Sequence, residues 1–294
     1  RMAGHSGVGR YLRSLLRAMA EAAPADLEVV PFLNPGQDAG FLPPRWTPWV
    51  LPKEIPVYSL KESLGFPAAL QGFDLLHVPH FNIPWNPPLP LVVTLHDATY
   101  WRFPASTGST MGGLYARLFL KRSVKVARRI LAVSQATAKD AVELLGADPG
   151  KLEVVLNGPP DFVQPTEPPQ PGGEPYLLYV GNFLPHKRLD VLLSAMNLLK
   201  VQGRRIPLLL VGKEDERALA LKRSRVALGD LLQFTGVLSD RELGERYAGA
   251  RVLVCPSPWE GFGLPLLEGM AWGVPGVAVD SGAAPEVARG AALL

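Results

Sequence analysis

The chain's 294 residues suffice for one large or two ordinary domains, and 47% apolar with 19% charged residues exclude a disordered polymer. A net charge of +3 without a nucleic-acid motif argues against a nucleic-acid partner, and no apolar run reaches the 18 residues of a transmembrane helix. The one cysteine, Cys255, excludes an internal disulfide; it fits a reducing compartment and reads as a small buried strand residue.

In chain order, the loop Gly4-His-Ser-Gly-Val-Gly-Arg10 precedes an amphipathic helix predicted over 8–23. Gly7 and Gly9 could present amides to a phosphate or simply make a tight turn. A strand is predicted over 27–32. Residues 34–60, rich in Pro and Trp, read as an irregular surface loop. Strands follow at 75–78, 91–95, 130–133 and 152–155, with helices at 111–128 and 135–145. His77 and His80 have no Asp, Glu or Cys at metal-ligand spacing, so packing or acceptor lining is the better reading. His96 closes a core strand in Val92-Val-Thr-Leu-His-Asp97. It is either a hydrogen-bonded core histidine or a donor to a sugar hydroxyl or phosphate. Residues 112–130 carry Arg117, Lys121, Arg122, Lys125, Arg128 and Arg129 among Leu114, Tyr115, Leu118, Phe119, Val124 and Val126. This is a solvated basic face over a core-facing stripe, or a contact for an anionic membrane at roughly 1 kcal/mol per basic residue.

The proline-dense joint at 157–173 cannot continue a helix or central strand and reads as a linker. It divides the chain into residues 1–165 and 166–294. The second half has strands at 175–180, 207–211, 232–235, 252–255 and 276–279, with helices at 189–201, 214–227, 241–248 and 265–272. Near-continuous apolar strands alternating with helices indicate α/β halves with buried parallel sheets, expected to face each other across a cleft. In such sheets ligands bind beyond the carboxyl ends of the strands.

Two segments of the second half carry chemistry. In Tyr179-Val-Gly-Asn-Phe-Leu-Pro-His-Lys-Arg188, Gly181 ends a strand, and Lys187 and Arg188 stand just before a helix. Two cations there oppose the helix dipole; they are either a solvated pair or the counter-charge of a diphosphate. In Glu260-Gly-Phe-Gly-Leu-Pro-Leu-Leu-Glu268, Gly261 and Gly263 allow close backbone approach, and Pro265 suits the first helical turn. The amides there form an anion cradle flanked by Glu260 in the loop and Glu268, expected in the first turn. Phosphate beside carboxylates fits a nucleotide sugar.

These segments together resemble the retaining glycosyltransferases of family 4, with the GT-B fold. The resemblance runs through Gly-Val-Gly-Arg-Tyr (7–11), Thr-Leu-His-Asp (94–97), Ala-Val-Ser-Gln-Ala-Thr (132–137), Asn-Gly (157–158), 180–188, Phe-Thr-Gly-Val-Leu-Ser-Asp (234–240) and 256–268, the last holding the family's two glutamates eight positions apart. It implies two Rossmann-like domains, with the donor held mainly by the second. Glu268 would bind the ribose, and Glu260 would lie against the donor sugar. The amides of Phe262, Gly263 and Leu264 would hold sugar hydroxyls and phosphate, with Gly261 in the same loop. Lys187 matches the diphosphate lysine, Val237 and Leu238 would line the base, and Gly7 and His96 would complete the site; His96, Glu260 and Lys187 are the expected catalytic groups. The reaction implied is hexose transfer from a UDP-, GDP- or dTDP-linked donor to a glycan or glycolipid, without metal or cofactor, in the cytoplasm or at the inner face of the cell membrane. A sugar-nucleotide epimerase of GT-B architecture and an inactive sugar-nucleotide-binding protein are the alternatives. Asn182, where many members have Arg, and Trp272, where a small residue is usual, depart from the pattern. Starting at Arg1 and stopping at Leu294, the chain reads as truncated at both ends.

Overall fold

Apolar runs too short for helices and bounded by glycine or proline become parallel strands throughout the computed structural model, which describes residues 6–65, 70–107, 110–159, 174–224 and 228–294. The chain divides into two units, Arg1–Gly158 and Pro159–Leu294. The predicted linker lies, for its residues 160–173, outside the described residues.

In the first unit, α1 (Ser6–Ala22) precedes a short parallel pair, β1 (Phe32–Leu33) and β2 (Trp49–Val50), and then α2 (Leu60–Gly65). Next come β3 (Leu76–Val78), β4 (Leu91–Leu95), α3 (Thr99–Arg102), α4 (Thr110–Val126), β5 (Arg129–Ala132), α5 (Gln135–Glu143) and β6 (Leu152–Val154). Strands β3, β4, β5 and β6 form one parallel sheet in that order. Leu91, Val93 and Leu95, alternate residues of β4, are buried against Phe119, Leu120 and Val124 of α4, which covers that face of the sheet. Asp140, fully buried on α5, accepts from Arg102 Nε at 2.7 Å and from a second guanidinium nitrogen, a bidentate pair joining α3 to α5.

Three expectations change here. The strand placed at 27–32 survives only as Phe32–Leu33; residues 25–28, with Asp26 and Glu28 among them, are exposed. The segment 34–60 is irregular but clamped to the core. Trp46 is buried and donates from Nε1 to the Leu16 carbonyl at 3.1 Å, while Arg45 donates to Ala20 and Ala23 carbonyls at 3.2 and 3.0 Å, satisfying the last turn of α1. On α4, Leu114 and Leu118 do not join the core stripe; they are 61% and 52% exposed.

The second unit runs β7 (Tyr176–Val180), α6 (Leu189–Val201), β8 (Leu208–Val211), α7 (Glu216–Ser224), β9 (Leu232–Gly236), α8 (Asp240–Gly249), β10 (Ala250–Cys255), α9 (Leu264–Ala271), β11 (Gly276–Ala278), α10 (Ala284–Ala288) and β12 (Ala292–Leu293). All six strands are parallel, in spatial order β9-β8-β7-β10-β11-β12. Counted from β7, this is the 3-2-1-4-5-6 order of dinucleotide-binding folds. Its switch point, where the winding direction reverses, falls between β7 and β10. One face packs Leu208 and Leu210 against Leu189, Leu192 and Met196; the other packs Leu178 and Leu253 against Leu243 and Tyr247. Helix α8 starts on a capping box between Ser239 and Glu242. Trp272 lies over α8, where the position a Cβ would take on Gly244 is 2.8 Å from its ring, so the large residue is matched by a glycine opposite. Among the described residues no helix is long and apolar enough to cross a membrane.

Candidate functional site

The switch point is framed by the loops that follow β7 and β10, and these are the two segments singled out in the sequence. After β7, Gly181 adopts φ +156, and Tyr179 donates its hydroxyl to the Asn182 carbonyl, folding the loop back over the strand end. The Gly181 carbonyl lies 2.0 Å from where a Cβ on Gly212 would stand, so the loop after β8 can approach only because that residue is glycine. A single turn, Pro185–Lys187, then brings Lys187 inward.

After β10 the chain passes Ser257 and Trp259 to Glu260. The Ser257 hydroxyl donates to the Trp259 carbonyl at 2.8 Å, and the Ala283 amide donates to the Glu260 carbonyl at 3.2 Å. At Gly282, φ +60, a Cβ would stand 3.0 Å from both the nitrogen and the oxygen of Glu260. The turn after β11 therefore buttresses the glutamate directly. Lys187 Nζ bonds both Glu260 oxygens, at 2.6 and 2.7 Å, with the two side chains 17% and 28% exposed. Residues from two loops 73 positions apart thus meet at the switch point.

Helix α9 begins at Leu264, capped by Gly263 in the left-handed region at φ +88, with Pro265 in its first turn. No preceding turn exists to accept from the amides of Gly263 and Leu264, which leaves them available to an anion. Phe262 is buried and anchors the loop. Glu268 is the fifth helical residue, not in the first turn as expected, and this rotation buries its side chain completely. The Tyr247 hydroxyl donates to Glu268 Oε2 at 2.6 Å. The two glutamates therefore do not share one equally open cradle: Glu260 is partly exposed on Lys187, and Glu268 is sealed against α8. Cys255 joins the two environments. Its thiol is pushed up to about 12 by desolvation and then by Glu260, opposed by Lys187 and raised again by Glu268.

Arg188 does not join this group. It occupies the left-handed region at φ +51 and directs its guanidinium to Asp190, with Nε 3.0 Å from Oδ1 on the exposed side. Val237 is 75% exposed after β9, whereas Leu238 packs against the core.

In the first unit, Gly7 lies within the first turn of α1, not in a loop ahead of it, and a Cβ there would meet nothing within 4 Å. His96 stands at the carboxyl end of β4 with Nε2 2.9 Å from the Pro79 carbonyl. A carbonyl only accepts, so Nε2 carries the proton. Burial lowers the pKa of the ring, which stays neutral, so Nδ1 is an acceptor. His96 thus suits receiving a hydrogen bond from a sugar hydroxyl, not donating one. His77 Nε2 lies 2.9 Å from Thr94 Oγ1, which lies 3.0 Å from the Tyr11 hydroxyl, and burial takes His77 down to about 4. Gly212, Tyr247 and Gly282 escaped sequence reasoning. Gly212 directly follows a strand and was legible in principle; Tyr247 and Gly282 gave no local signal.

Residues 5–159 match the family described as Glycosyltransferase Family 4, and residues 163–292 that described as Glycosyl transferases group 1. The O-antigen chain mannosyltransferase B of Escherichia coli is 30% identical over 233 residues, covering 75% of this chain and 60% of that protein. The chain thus spans less than two thirds of that relative. Sucrose-phosphate synthase from Thermosynechococcus elongatus superposes with a TM-score of 0.73 at 24% identity, over 95% of this chain and 77% of that one. HepE of Anabaena, solved with UDP and glucose, gives 0.68 at 20% identity, over 96% and 79%. Sequence matches in both units and the shared architecture lead to one conclusion: the chain belongs to the family 4 glycosyltransferases, with the GT-B fold of two Rossmann-like units.

Proposed function

We propose that the protein transfers a hexose from a nucleoside-diphosphate donor to a glycan or lipid-linked acceptor, with retention of anomeric configuration. The observation that carries this reading is the Lys187–Glu260 pair at the switch point beside the free amides of α9. Lys187 can exchange one glutamate contact for a diphosphate oxygen, a charge-assisted bond, while Glu260 turns to the donor sugar's hydroxyls. Glu268 is assigned to the ribose hydroxyls on the resemblance, which requires its sealed contact with Tyr247 to open, and Leu238 with Val237 borders the base. Gly7 and His96 are assigned to the donor on the resemblance. As the anomeric carbon–oxygen bond breaks, negative charge gathers on the leaving phosphate, where Lys187 and the amides of Gly263 and Leu264 stabilise it. The acceptor oxygen attacks from the same face and passes its proton to that departing phosphate oxygen. No protein nucleophile is then required, and the reaction is expected to proceed without a metal. Mannose is the favoured sugar, because the similar Escherichia coli protein is a mannosyltransferase.

One face of helix α4 supports a membrane-borne acceptor. Met111, Leu114, Leu118, Lys121 and Lys125, all exposed, follow one another at helical spacing on one outer face. An apolar half followed by a cationic half suits an anionic lipid surface, which supports a reading of the enzyme at the inner face of the cell membrane with a lipid-linked acceptor. The test is turnover of a panel of UDP-, GDP- and dTDP-sugars in the presence of EDTA, followed by NMR of the product anomer. A product with the donor's configuration supports the reading; inversion, epimerised donor or dependence on added metal contradicts it.

A further inference from the structure

Tyr247 and Glu268 are both fully buried, and the bond between them is charge-assisted, the hydroxyl donating to Oε2 at 2.6 Å. The tyrosine is the fixed member. Its ring lies in the apolar cluster of Leu178, Leu253 and Val274, and α8 is pinned on both sides of it. On one side, Gly244 leaves room for the Trp272 ring. On the other, a Cβ on Gly249 would stand 2.8 Å from the Tyr176 hydroxyl, which donates to the Arg246 carbonyl at 2.7 Å. Helix α9 is held as closely. A Cβ on Gly269, next to Glu268, would stand 2.7 Å from a methyl carbon of Leu253 on β10. With both helices packed this tightly, the unbranched side chain of Glu268 is the part able to turn.

No part of Glu268 is exposed, so a ribose reaches it only when the carboxylate turns out from under Tyr247. Tyrosine and ribose then compete for the same acceptor. Ribose binding gains the bonds of the sugar hydroxyls and gives up one charge-assisted bond inside the protein, which the buried tyrosine hydroxyl cannot recover from water. Departure of the nucleotide runs the other way, and the tyrosine takes the carboxylate back.

We propose that Tyr247 is an internal competitor of the nucleotide ribose: its hydroxyl draws Glu268 back from the sugar and so limits how tightly the product nucleoside diphosphate is held. This role rests on the glycosyltransferase reading, in which Glu268 meets the ribose, and adds the means by which the site lets go. Donor and product carry the same ribose, so the competition weakens both alike and lowers no chemical barrier. Its benefit falls on product release, which limits turnover in many enzymes. Tyr247 touches no reacting atom; it acts through Glu268, as a positioning residue.

The probes are GDP and UDP and their 2′,3′-dideoxy forms, which lack the hydroxyls that would draw Glu268 out. Each is titrated by calorimetry into the full chain and into Tyr247→Phe, which keeps the ring. Wild type should prefer the ribonucleotide. The variant should bind it on the order of tenfold more tightly than wild type does, with dideoxy affinity within about twofold. Its melting temperature should be lower without ligand and rise more on adding ribonucleotide than that of wild type. Equal or weaker ribonucleotide binding in the variant overturns the competition, as does tightening on both forms alike. A variant that loses both forms assigns the hydroxyl to the fold and also overturns it. Wild-type protein isotope-labelled at the ζ carbons of its seven tyrosines gives a check without substitution. One resonance should move when the ribonucleotide saturates the site and stay when the dideoxy form does; no such resonance overturns the competition. Wild-type protein that binds both forms equally removes Glu268 from the ribose and the competition with it, whereas wild type that binds no nucleotide sinks the glycosyltransferase reading itself.

Discussion

At the scale of single residues, the two signature glutamates sit in different environments, one in the loop before α9 and one in the helix itself. Glu260 remains partly exposed on Lys187, while Glu268 is sealed under Tyr247. Glu268→Gln keeps an acceptor for the tyrosine hydroxyl and removes the charge. It should weaken nucleoside diphosphate binding by about tenfold with little change in melting temperature, measured by calorimetry and thermal denaturation. His77 gives a second prediction. Its folded pKa is near 4 against an unfolded value of about 6.5. The unfolded state therefore binds more protons in this window, and stability falls as pH drops from 6.5 towards 4, by roughly 3 kcal/mol when complete. Urea denaturation of the first unit at pH 7 and pH 4.5 should show the loss, and His77→Leu should flatten it; an equal pH slope in the variant would refute the assignment. Residue identities at the site were legible where glycine, proline and charge cluster. Tyr247 was not, because a buried aromatic on a helix reads as core whether or not its hydroxyl holds a carboxylate. The acceptor role of His96 Nδ1 required knowing that Pro79 takes the other ring proton.

At the scale of elements, α4 shows how periodicity alone misassigns a face. Its leucines and aromatics were read as one core stripe, yet Leu114 and Leu118 fall on the outside, a third to a half turn from Phe119 and Leu120. Binding to anionic phosphatidylglycerol vesicles should be salt-sensitive, and Leu114→Glu with Leu118→Glu should abolish it. Lys121 and Arg122 are poorer test positions, since they stack on Trp101 and Trp85. Vesicle binding retained by the leucine variants would remove α4 from the membrane contact. Helix α8 offers a packing test. Gly244→Ala places a methyl 2.8 Å from the Trp272 ring and should cost about 1–3 kcal/mol, seen as a lower melting temperature. Most strands and helices were legible to within two residues because the β/α alternation of apolar runs is strong. The strand at 27–32 was not, because a short edge element gains its pairing from β2, beyond any local window.

For the whole molecule, the alternation of strands and helices made two α/β halves legible, but not the order of the strands. Position along the chain says nothing of whether β10 pairs with β9 or returns to β7; the crossover beside β7 creates the switch point and gives the site its place. The account depends on that place holding an activated sugar through its diphosphate. Calorimetric titration of UDP, GDP, dTDP and ADP into the protein and into Lys187→Ala tests it most directly. The prediction is that at least one nucleotide binds the wild type, and that the variant binds it roughly thirtyfold more weakly, the worth of about 2 kcal/mol for a charge-assisted bond. If no nucleoside diphosphate binds, or if Lys187→Ala binds as tightly as the wild type, the site is not where the donor is held.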